Sequence, residues 1–482
     1  MLPSWKTRSC ICLLLVCAYQ AGAQTVATDV EEEMNEKLIG VGVAPPTARI
    51  GDLIENGYCI QPPFNELCPD LPHDVLDFDA SFVYRFLEKN AQTPFDIFAW
   101  ETFVALNWPA GDDGVPLDQR IGSAPDAPRV WQSYVSPKEI FTPDAESDAC
   151  SRAGDNTTFR PSSLVQTVGL PLIDKNLNYV VFDFRINEEV ADYILANGFD
   201  TQSGQRAFKE SGKEISFPQG HFQDNEARSG GAIGSVAIKT AWKIIDEKAG
   251  DDPAGYFTVN GHISVPADLS ENGKSFCVEE QLGLIGMHVM RRTKNGNGGD
   301  WVWVTFEHVD AAPIAANARR PNQVFAKVLF PDGCYPPETV EANYALYDGD
   351  CENCPTNVKP AANWKWAQAP PYVMQADLKQ GAQVVRCWSV FESTQYISDK
   401  WREKLADTVW ANYELLSTQW KGARRGGYFL AGEVPRFLTN STMETFEQGV
   451  FNGSCMGCHL EALSVAGQNS NFSFLLRRAV RE

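Results

Sequence analysis

The sequence predicts an α+β fold with a β-rich central region, flanking helices and a helical C-terminal section. The chain has 482 residues, of which 44% are hydrophobic and 11% aromatic, enough for a large buried core. In the central part of the chain, apolar residues recur at every second position, as in strands. Helical spacing returns after residue 396, which separates the C-terminal section from the centre.

The N-terminal residues have the layout of an export signal. Residues 1–23 contain two basic residues, an apolar run too short to span a bilayer and small residues before position 24. Residues 24–49 are acidic and weakly apolar, which predicts a loose N-terminal arm. We therefore expect an exported, periplasmic bacterial protein in which a mixed β-rich domain, 50–395, precedes a helical region, 396–482.

The formal net charge of −21 disfavours nucleic acid and anionic membranes as partners. Removal of the signal would take Lys6 and Arg8 with it and make the chain more acidic still. No later segment approaches twenty continuous apolar residues, so we expect no membrane span.

The first predicted element is a buried amphipathic helix in "TPFDIFAWETFVALNWP". Thr93 is the expected N-cap, Pro94 the first helical residue and Pro109 the end signal. Apolar residues at helical spacing between them give the helix one buried face.

Strands dominate the centre. "NYVVFDFRI" at 178–186 predicts a strand followed by a short helix that Asn187 caps and Gly198 ends. "SVAIKTAWKII" at 235–245 and "YFTVNGHISV" at 256–265 predict two more strands.

A long hairpin follows in "GLIGMHVMRRTKNGNGGDWVWVTFEHVD", with its turn at 294–300. If Thr293 pairs with Trp301, His288 lies opposite Phe306. That register would place His288 and His308 on the same apolar face of the sheet.

The C-terminal section predicts two helices. "DKWREKLADTVWANYELLSTQW" at 399–420 places large apolar residues at steps of three and four. Ser441 and Glu444 form a capping-box pattern for a second helix that leads to Cys455.

The segment "NGSCMGCHLEA" contains Cys455, Cys458 and His459 in the spacing Cys-x-x-Cys-His. Two thiols one helical turn apart can add to the two vinyl groups of a haem, and the adjacent histidine can then bind the iron as proximal ligand. The alternatives are a short Cys455–Cys458 disulfide beside a surface histidine, or half of a zinc site.

A haem iron has a second axial position, for which His288 and His308 are the distal candidates because imidazoles on an apolar face need a partner. They could equally be core histidines bonded to backbone. Other side chains with possible roles here are the sulfur ligands Met287, Met290 and Met443 and the propionate-binding Arg291 or Arg292.

The remaining cysteines suggest disulfides. Of thirteen in the chain, three fall in the signal and two in the motif, and an even set of eight remains for an oxidising compartment. Cys351 and Cys354 have Pro355 where a haem motif needs histidine, so a loop disulfide is the favoured interpretation. A zinc site shared by this pair with Cys455 and Cys458 is the alternative.

Through Cys455, Cys458 and His459 the chain resembles c-type cytochromes, which implies two thioether bonds and a proximal histidine. The segments "FVALNWPA", "GLIGMHVMRRT", "WVWVTFEHVDAAP", "NSTMETF" and "SCMGCH" are also similar to large exported bacterial proteins filed as cytochrome c family proteins, a likeness that implies no particular activity. Residues 460–482 are too few to complete a standard cytochrome c fold after the motif, so earlier chain must supply the distal side.

The predicted function is that of an exported mono-haem c-type cytochrome with one covalently bound haem c, which transfers electrons. One alternative is a haem-dependent, peroxidase-like oxidoreductase with an open distal site. Another is a disulfide-stabilised exported binding protein without haem. The partner would be a redox protein or a small-molecule substrate, and the sequence assigns no catalytic residue.

Overall fold

The fold is described from a computed structural model of the chain. The residues described are 67–75, 92–142, 149–150, 159–166, 169–222, 231–294, 301–320, 333–340, 342–351, 354–374, 383–425, 428–449 and 452–482. All of them belong to one compact unit, 67–482. The predicted signal peptide and N-terminal arm lie outside the described residues.

Helices and strands both contribute, with the strands concentrated in the centre. The helices are α1 (Thr93–Leu106), α2 (Pro137–Phe141), α3 (Glu188–Ala196), α4 (Gln202–Glu210), α5 (Glu392–Lys404) and α6 (Cys455–His459). The strands are β1 (Leu172–Ile173), β2 (Tyr179–Ile186), β3 (His221–Phe222), β4 (Gly231–Ala232), β5 (Val236–Ile244), β6 (Thr258–Val265), β7 (Phe276–Arg292), β8 (Trp301–His308), β9 (Ile314–Arg319), β10 (Arg386–Trp388), β11 (Tyr413–Arg425) and β12 (Tyr428–Val434).

An eight-stranded antiparallel sheet organises the fold, in the order β1-β2-β5-β7-β8-β11-β12, and β6 pairs with the first half of the long β7. Two small two-stranded sheets, β10-β9 and β3-β4, lie outside it. The α+β class with a β-rich centre is therefore confirmed.

Both faces of the central sheet are covered. Helices α1 and α5 cover one face, where Trp100 stacks on Trp401 at 6.0 Å and Phe103 on Phe306 at 4.1 Å between ring centroids. The chain after β12 covers part of the other face. It approaches so closely that a side chain at Gly286 would collide with Thr442.

The elements predicted up to residue 292 are confirmed with small shifts. Helix α1 begins at Thr93, one residue earlier than expected, because Gln92 is its N-cap. Asn187 caps α3 by accepting the Val190 N–H at 3.4 Å. Gly198 follows the helix with a φ of +66°, a conformation that suits glycine.

The predicted hairpin register is wrong by one residue. Arg292, not Thr293, pairs with Trp301, and His288 pairs with Thr305. Because side chains alternate between faces, His288 and His308 lie on opposite faces of the sheet. The apolar pattern could not fix the register, since both faces of β7 and β8 are buried here.

The helix predicted over 399–420 is wrong beyond Lys404. Helix α5 ends there, and β11 begins at Tyr413 and pairs with β8. The apolar residues at helical spacing also suit a strand buried on both faces, and pairing with the sheet decides between the two. The C-terminal section therefore contains two strands besides its helices, and the boundary predicted at residue 396 falls within α5.

The helix predicted from Ser441 does not form, and turns occupy 441–446 instead. Asn440 accepts the Thr442 N–H at 2.9 Å, a local turn that competes with helix. The Glu307 carboxylate, in turn, accepts the N–H and the hydroxyl of Ser441. The Glu444 side chain accepts the Asn440 N–H at 3.2 Å rather than the Ser441 N–H, so the contact that defines a capping box is also absent.

Disulfides join Cys150 to Cys277, Cys334 to Cys387 and Cys351 to Cys354. The third bridge confirms the expected loop disulfide and removes those thiols from any zinc site. In the part of the chain that the structure describes, no helix is long and apolar enough to cross a membrane.

Candidate functional site

The Cys-x-x-Cys-His segment forms the short helix α6, which is fixed to the sheet at its N-terminal end. Ser454 caps it by accepting the Gly457 N–H at 3.0 Å. Gln419 of β11 donates to the Ser454 hydroxyl at 3.1 Å and accepts the Met456 N–H at 2.7 Å. One side chain of the sheet thus holds both the cap and the first turn of the motif.

The two motif thiols are free, unlike the six cysteines of the three disulfides described above. Cys455 is buried, donates to the Leu438 carbonyl at 3.4 Å and faces the hydroxyl of Thr305 on β8. Cys458 is exposed. Burial and the nearby charge of Glu444 raise the pKa of both thiols, so both are protonated at neutral pH. The disulfide between them that the sequence allowed is not formed.

The His459 ring is held in one orientation. Its Nδ1–H donates to the Phe472 carbonyl at 2.7 Å, and its ring lies 4.6 Å from Trp303 and 4.9 Å from Phe474 between centroids. Burial lowers the pKa of His459 to about 4, so the imidazole is neutral at pH 7. With the proton on Nδ1, the lone pair is on Nε2, which is the arrangement that a metal-ligating histidine requires.

A row of side chains crosses the sheet on the same face as Trp303. Thr305 of β8, His288 of β7, Lys239 of β5 and Phe184 of β2 are successive partners in the register. Neighbouring strands lie about 4.8 Å apart, so the row is about 14 Å long. Cys455 faces one end of this row, at Thr305.

Glu444 lies over the middle of the row. Its carboxylate is 3.3 Å from His288 Nε2 and 3.8 Å from Lys239 Nζ. Burial alone would raise the pKa of Glu444, but the charges of the nearby His288 and Lys239 lower it to about 2. The carboxylate is therefore ionised throughout the physiological pH range.

We expect the pairing of Glu444 with His288 and Lys239 to make the free energy of unfolding depend on pH in the acid range. The pKa of Glu444 is depressed from 4.5 to about 2, so its contribution is complete above pH 4.5 and is lost as the pH falls towards 2. The lost part is about 3 kcal/mol of unfolding free energy. Urea unfolding at a series of pH values should show a shallower acid slope in Glu444→Gln. In the exposed control Glu403→Gln the slope should match the wild type, and an unchanged slope in Glu444→Gln would refute the assignment.

Of the two histidines predicted as distal candidates, the structure brings only His288 to the face of the motif. The His308 Nε2–H donates to the Gly255 carbonyl at 2.8 Å, and its Nδ1 accepts the Asp310 N–H at 3.1 Å. Its ring also stacks on Tyr256 at 4.3 Å. His308 thus has the contacts of a core histidine on the opposite face.

The methionine and arginine candidates from the sequence also lie in different surroundings. Met290 packs in the apolar cluster that contains Cys455, whereas Met287 lies on the opposite face beside Asn107, at 3.8 Å. Arg291 donates to the carbonyls of Pro72 and Ile233, and Arg292 donates to that of Phe217. Met443 is fully buried in another apolar cluster.

Sequence reasoning missed Lys239 and identified Glu444 only as a helix cap. A signal for Lys239 was present, because a lysine inside the apolar run "SVAIKTAWKII" must find a partner when the strand is buried on both faces. For the position of Glu444 over the sheet the sequence offers no comparable signal, since that position depends on how the C-terminal chain crosses the sheet.

Comparison of the chain with protein-family models, with curated proteins and with solved structures finds no match. Within the described ranges, no group of three or more histidine, cysteine, aspartate or glutamate side chains could hold a metal ion. The residues that could hold a cofactor are the thiols of Cys455 and Cys458 and the Nε2 of His459. Their donor set, two free thiols and one neutral imidazole in Cys-x-x-Cys-His spacing, fits a covalently attached haem.

Proposed function

We propose that this protein is an exported, periplasmic c-type cytochrome that carries one haem and transfers electrons. Cys455 and Cys458 would form the two thioether bonds, and His459 Nε2 would be the proximal iron ligand. When bound, the haem supplies a one-electron couple between ferric and ferrous iron.

The observation that carries the proposal is the state of the His459 ring. Its Nδ1–H is committed to the Phe472 carbonyl at 2.7 Å, and packing against Trp303 and Phe474 fixes the ring plane. A hydrogen bond of this kind sets the tautomer and raises the basicity of the free nitrogen. A surface histidine beside a structural disulfide would need neither the burial nor this bond.

The rest of the chain would keep the attachment site rigid and partly shielded from solvent. Gln419 holds helix α6 on β11, and the buried Cys455 thiol lies over the sheet while Cys458 faces solvent. One edge of the cofactor would therefore be accessible to a partner, and the other would be enclosed by the sheet face.

The test is the absorption spectrum of protein produced with a c-type maturation system. We expect a haem that stays attached after denaturation in wild type, and loss of one thioether bond in Cys455→Ala or Cys458→Ala, seen as a shift of the pyridine haemochrome band. Cys351→Ala with Cys354→Ala is the matched control and should retain the wild-type band. A colourless wild-type protein would refute the proposal.

A second candidate is a haem-dependent oxidoreductase, which the buried His288–Glu444 pair favours. A histidine whose Nε2 lies 3.3 Å from a carboxylate, on the same face as the motif, could act as an acid–base group or as a sixth iron ligand. An open distal site would allow a small molecule such as a peroxide to bind, and a histidine ligand would prevent it.

We expect His288→Ala to change the ferric spectrum and His308→Ala to leave it unchanged. The reason is that His288 lies on the motif's face of the sheet and His308 on the other. Cyanide titration of the wild type separates the two functions, because a six-coordinate iron that resists cyanide indicates a carrier. Equal spectra for wild type and His288→Ala would show that His288 does not act on the distal side of the iron.

A further inference from the structure

Two consecutive residues at the carbonyl that His459 contacts have a left-handed backbone. The φ angle is +51° at Asn471 and +67° at Phe472. Across them the Ser473 N–H donates to the Ser470 carbonyl at 3.1 Å. Positive φ at both central residues of a hydrogen-bonded four-residue turn is the pattern of a type I′ turn, in which Asn-Gly is a favoured pair. Phe472 therefore stands where the backbone favours glycine.

The contacts of Phe472 explain why a bulky residue is kept at this position. Its carbonyl accepts the His459 Nδ1–H at 2.7 Å, and its ring lies 6.2 Å from that of Trp303 between centroids. Phe472 is 8% exposed and belongs to the apolar cluster that contains Cys455. A bulky residue with positive φ costs conformational energy, and such residues persist where surrounding contacts fix them, often at functional sites. The turn is thus built around the contact with His459.

Asn471 fixes this turn to the rest of the fold. Its Oδ1 accepts the Phe217 N–H at 3.3 Å, and its own N–H donates to Asn469 Oδ1 at 2.9 Å. Phe217 is in turn held to the central sheet, because Arg292 of β7 donates to its carbonyl. Asparagine also tolerates positive φ better than most side chains do. The residue that ties the turn to the sheet therefore directly precedes the carbonyl that His459 uses.

Replacement of Asn471 by alanine would disturb the Phe472 carbonyl in two ways. Alanine disfavours positive φ, so the turn would change its backbone conformation. Alanine also lacks the acceptor for the Phe217 N–H, so the turn would lose its tie to the sheet. The bond to His459 would weaken as a result, because hydrogen bonds lose strength steeply when their geometry departs from linear.

Given the haem attachment proposed above, on which this inference rests, we infer that Asn471 is a positioning residue that lowers the reduction potential of the haem. It does so by holding the Phe472 carbonyl against the His459 Nδ1–H. That hydrogen bond increases the basicity of Nε2, which would stabilise ferric iron relative to ferrous iron. Weakening the bond should therefore raise the potential while His459 remains the ligand.

Two measurements on the full-length holoprotein test this role. The first is the rate at which the His459 Nδ1–H exchanges with solvent, followed by NMR in the ferrous state, and the second is the reduction potential. In Asn471→Ala we expect exchange about tenfold faster, as for the loss of one hydrogen bond, and a more positive potential. The ferric absorption spectrum should be retained. Asn471→Asp keeps an acceptor oxygen and the tolerance of positive φ, so its exchange rate should stay at the wild-type value.

Asn357→Ala is the matched control for these measurements. Asn357 also has a positive φ, of +53°, and its side chain bonds the N–H and the carbonyl of Val385 at 2.9 and 3.0 Å. Its replacement removes the same kind of side chain from the same kind of backbone, away from His459. Both the exchange rate and the potential should therefore stay at their wild-type values.

Three results would overturn the inference: wild-type exchange and potential in Asn471→Ala, exchange in Asn471→Asp as fast as in Asn471→Ala, or equal changes in Asn357→Ala. If Asn471→Ala does not yield folded protein, Asn471→Gly decides on the same two measurements, because glycine keeps the positive φ but lacks the acceptor. A wild-type protein without covalent haem refutes the proposed function itself, whereas a haem-loaded wild type with insensitive variants refutes only the role of Asn471.

Discussion

Replacement of Arg386 by methionine should lower the free energy of unfolding by about 3–5 kcal/mol, because it leaves buried carboxylates without a counter-charge. Arg386 pairs with Glu307 at 3.0 Å and with Glu414 at 2.8 Å, and the Arg386 and Glu307 side chains are 3% and 0% exposed. Glu307 also accepts a hydrogen bond from the Ser441 hydroxyl at 2.7 Å. The ion group therefore joins β10, β8 and β11 to the turn that carries Glu444.

Urea unfolding of the full-length protein measures this effect. The matched control is Arg206→Met, because Arg206 pairs with Glu482 at 2.6 Å on the surface, with side chains 51% and 78% exposed. We expect the control to change stability by less than about 1 kcal/mol. If the two variants lose equal stability, Arg386 does not hold the turn to the sheet as described.

Replacement of Trp303 by alanine should lower the unfolding free energy by about 3–5 kcal/mol and also disturb the orientation of His459, the proposed proximal ligand of a haem. Trp303 is 1% exposed, and its ring lies 4.6 Å from that of His459. The cavity left by the indole would allow the His459 imidazole to rotate about its hydrogen bond to the Phe472 carbonyl. The measurements are urea unfolding and the ferric absorption spectrum.

Trp301→Ala is the control for this prediction. Trp301 is 3% exposed on the same face, and its Nε1–H donates to the Asn471 carbonyl at 2.8 Å, so its removal should cost comparable stability. His459 packs on Trp303 and Phe474 instead, so the Trp301 variant should keep the wild-type ferric spectrum. A spectrum that changes equally in both variants would mean that the Trp303 contact does not position His459, the proposed ligand.

Much of the fold follows from local patterns in the sequence. The segment at 178–186 and the cap at Asn187 specify their strand and helix directly, and the Cys-x-x-Cys-His spacing places the three proposed attachment residues on one short helix. These features depend on neighbours in the chain, which alternation and capping rules describe.

The remainder depends on contacts between distant segments. The register that separates His288 from His308 is ambiguous in sequence, because either pairing buries apolar residues on both faces. The pattern of residues 413–420 is compatible with helix and with strand, and pairing with the edge of β8 selects the strand. Glu444 forms ion pairs over His288 and Lys239, a role that the sequence pattern of a helix cap conceals.

The mass of the denatured, alkylated protein tests the central proposal most directly. After maturation in a c-type cytochrome system, we predict a chain heavier by one haem in which Cys455 and Cys458 resist alkylation, with the added mass on the peptide that contains His459. A chain without added mass, in which both motif thiols are alkylated or joined to each other, would contradict covalent haem attachment.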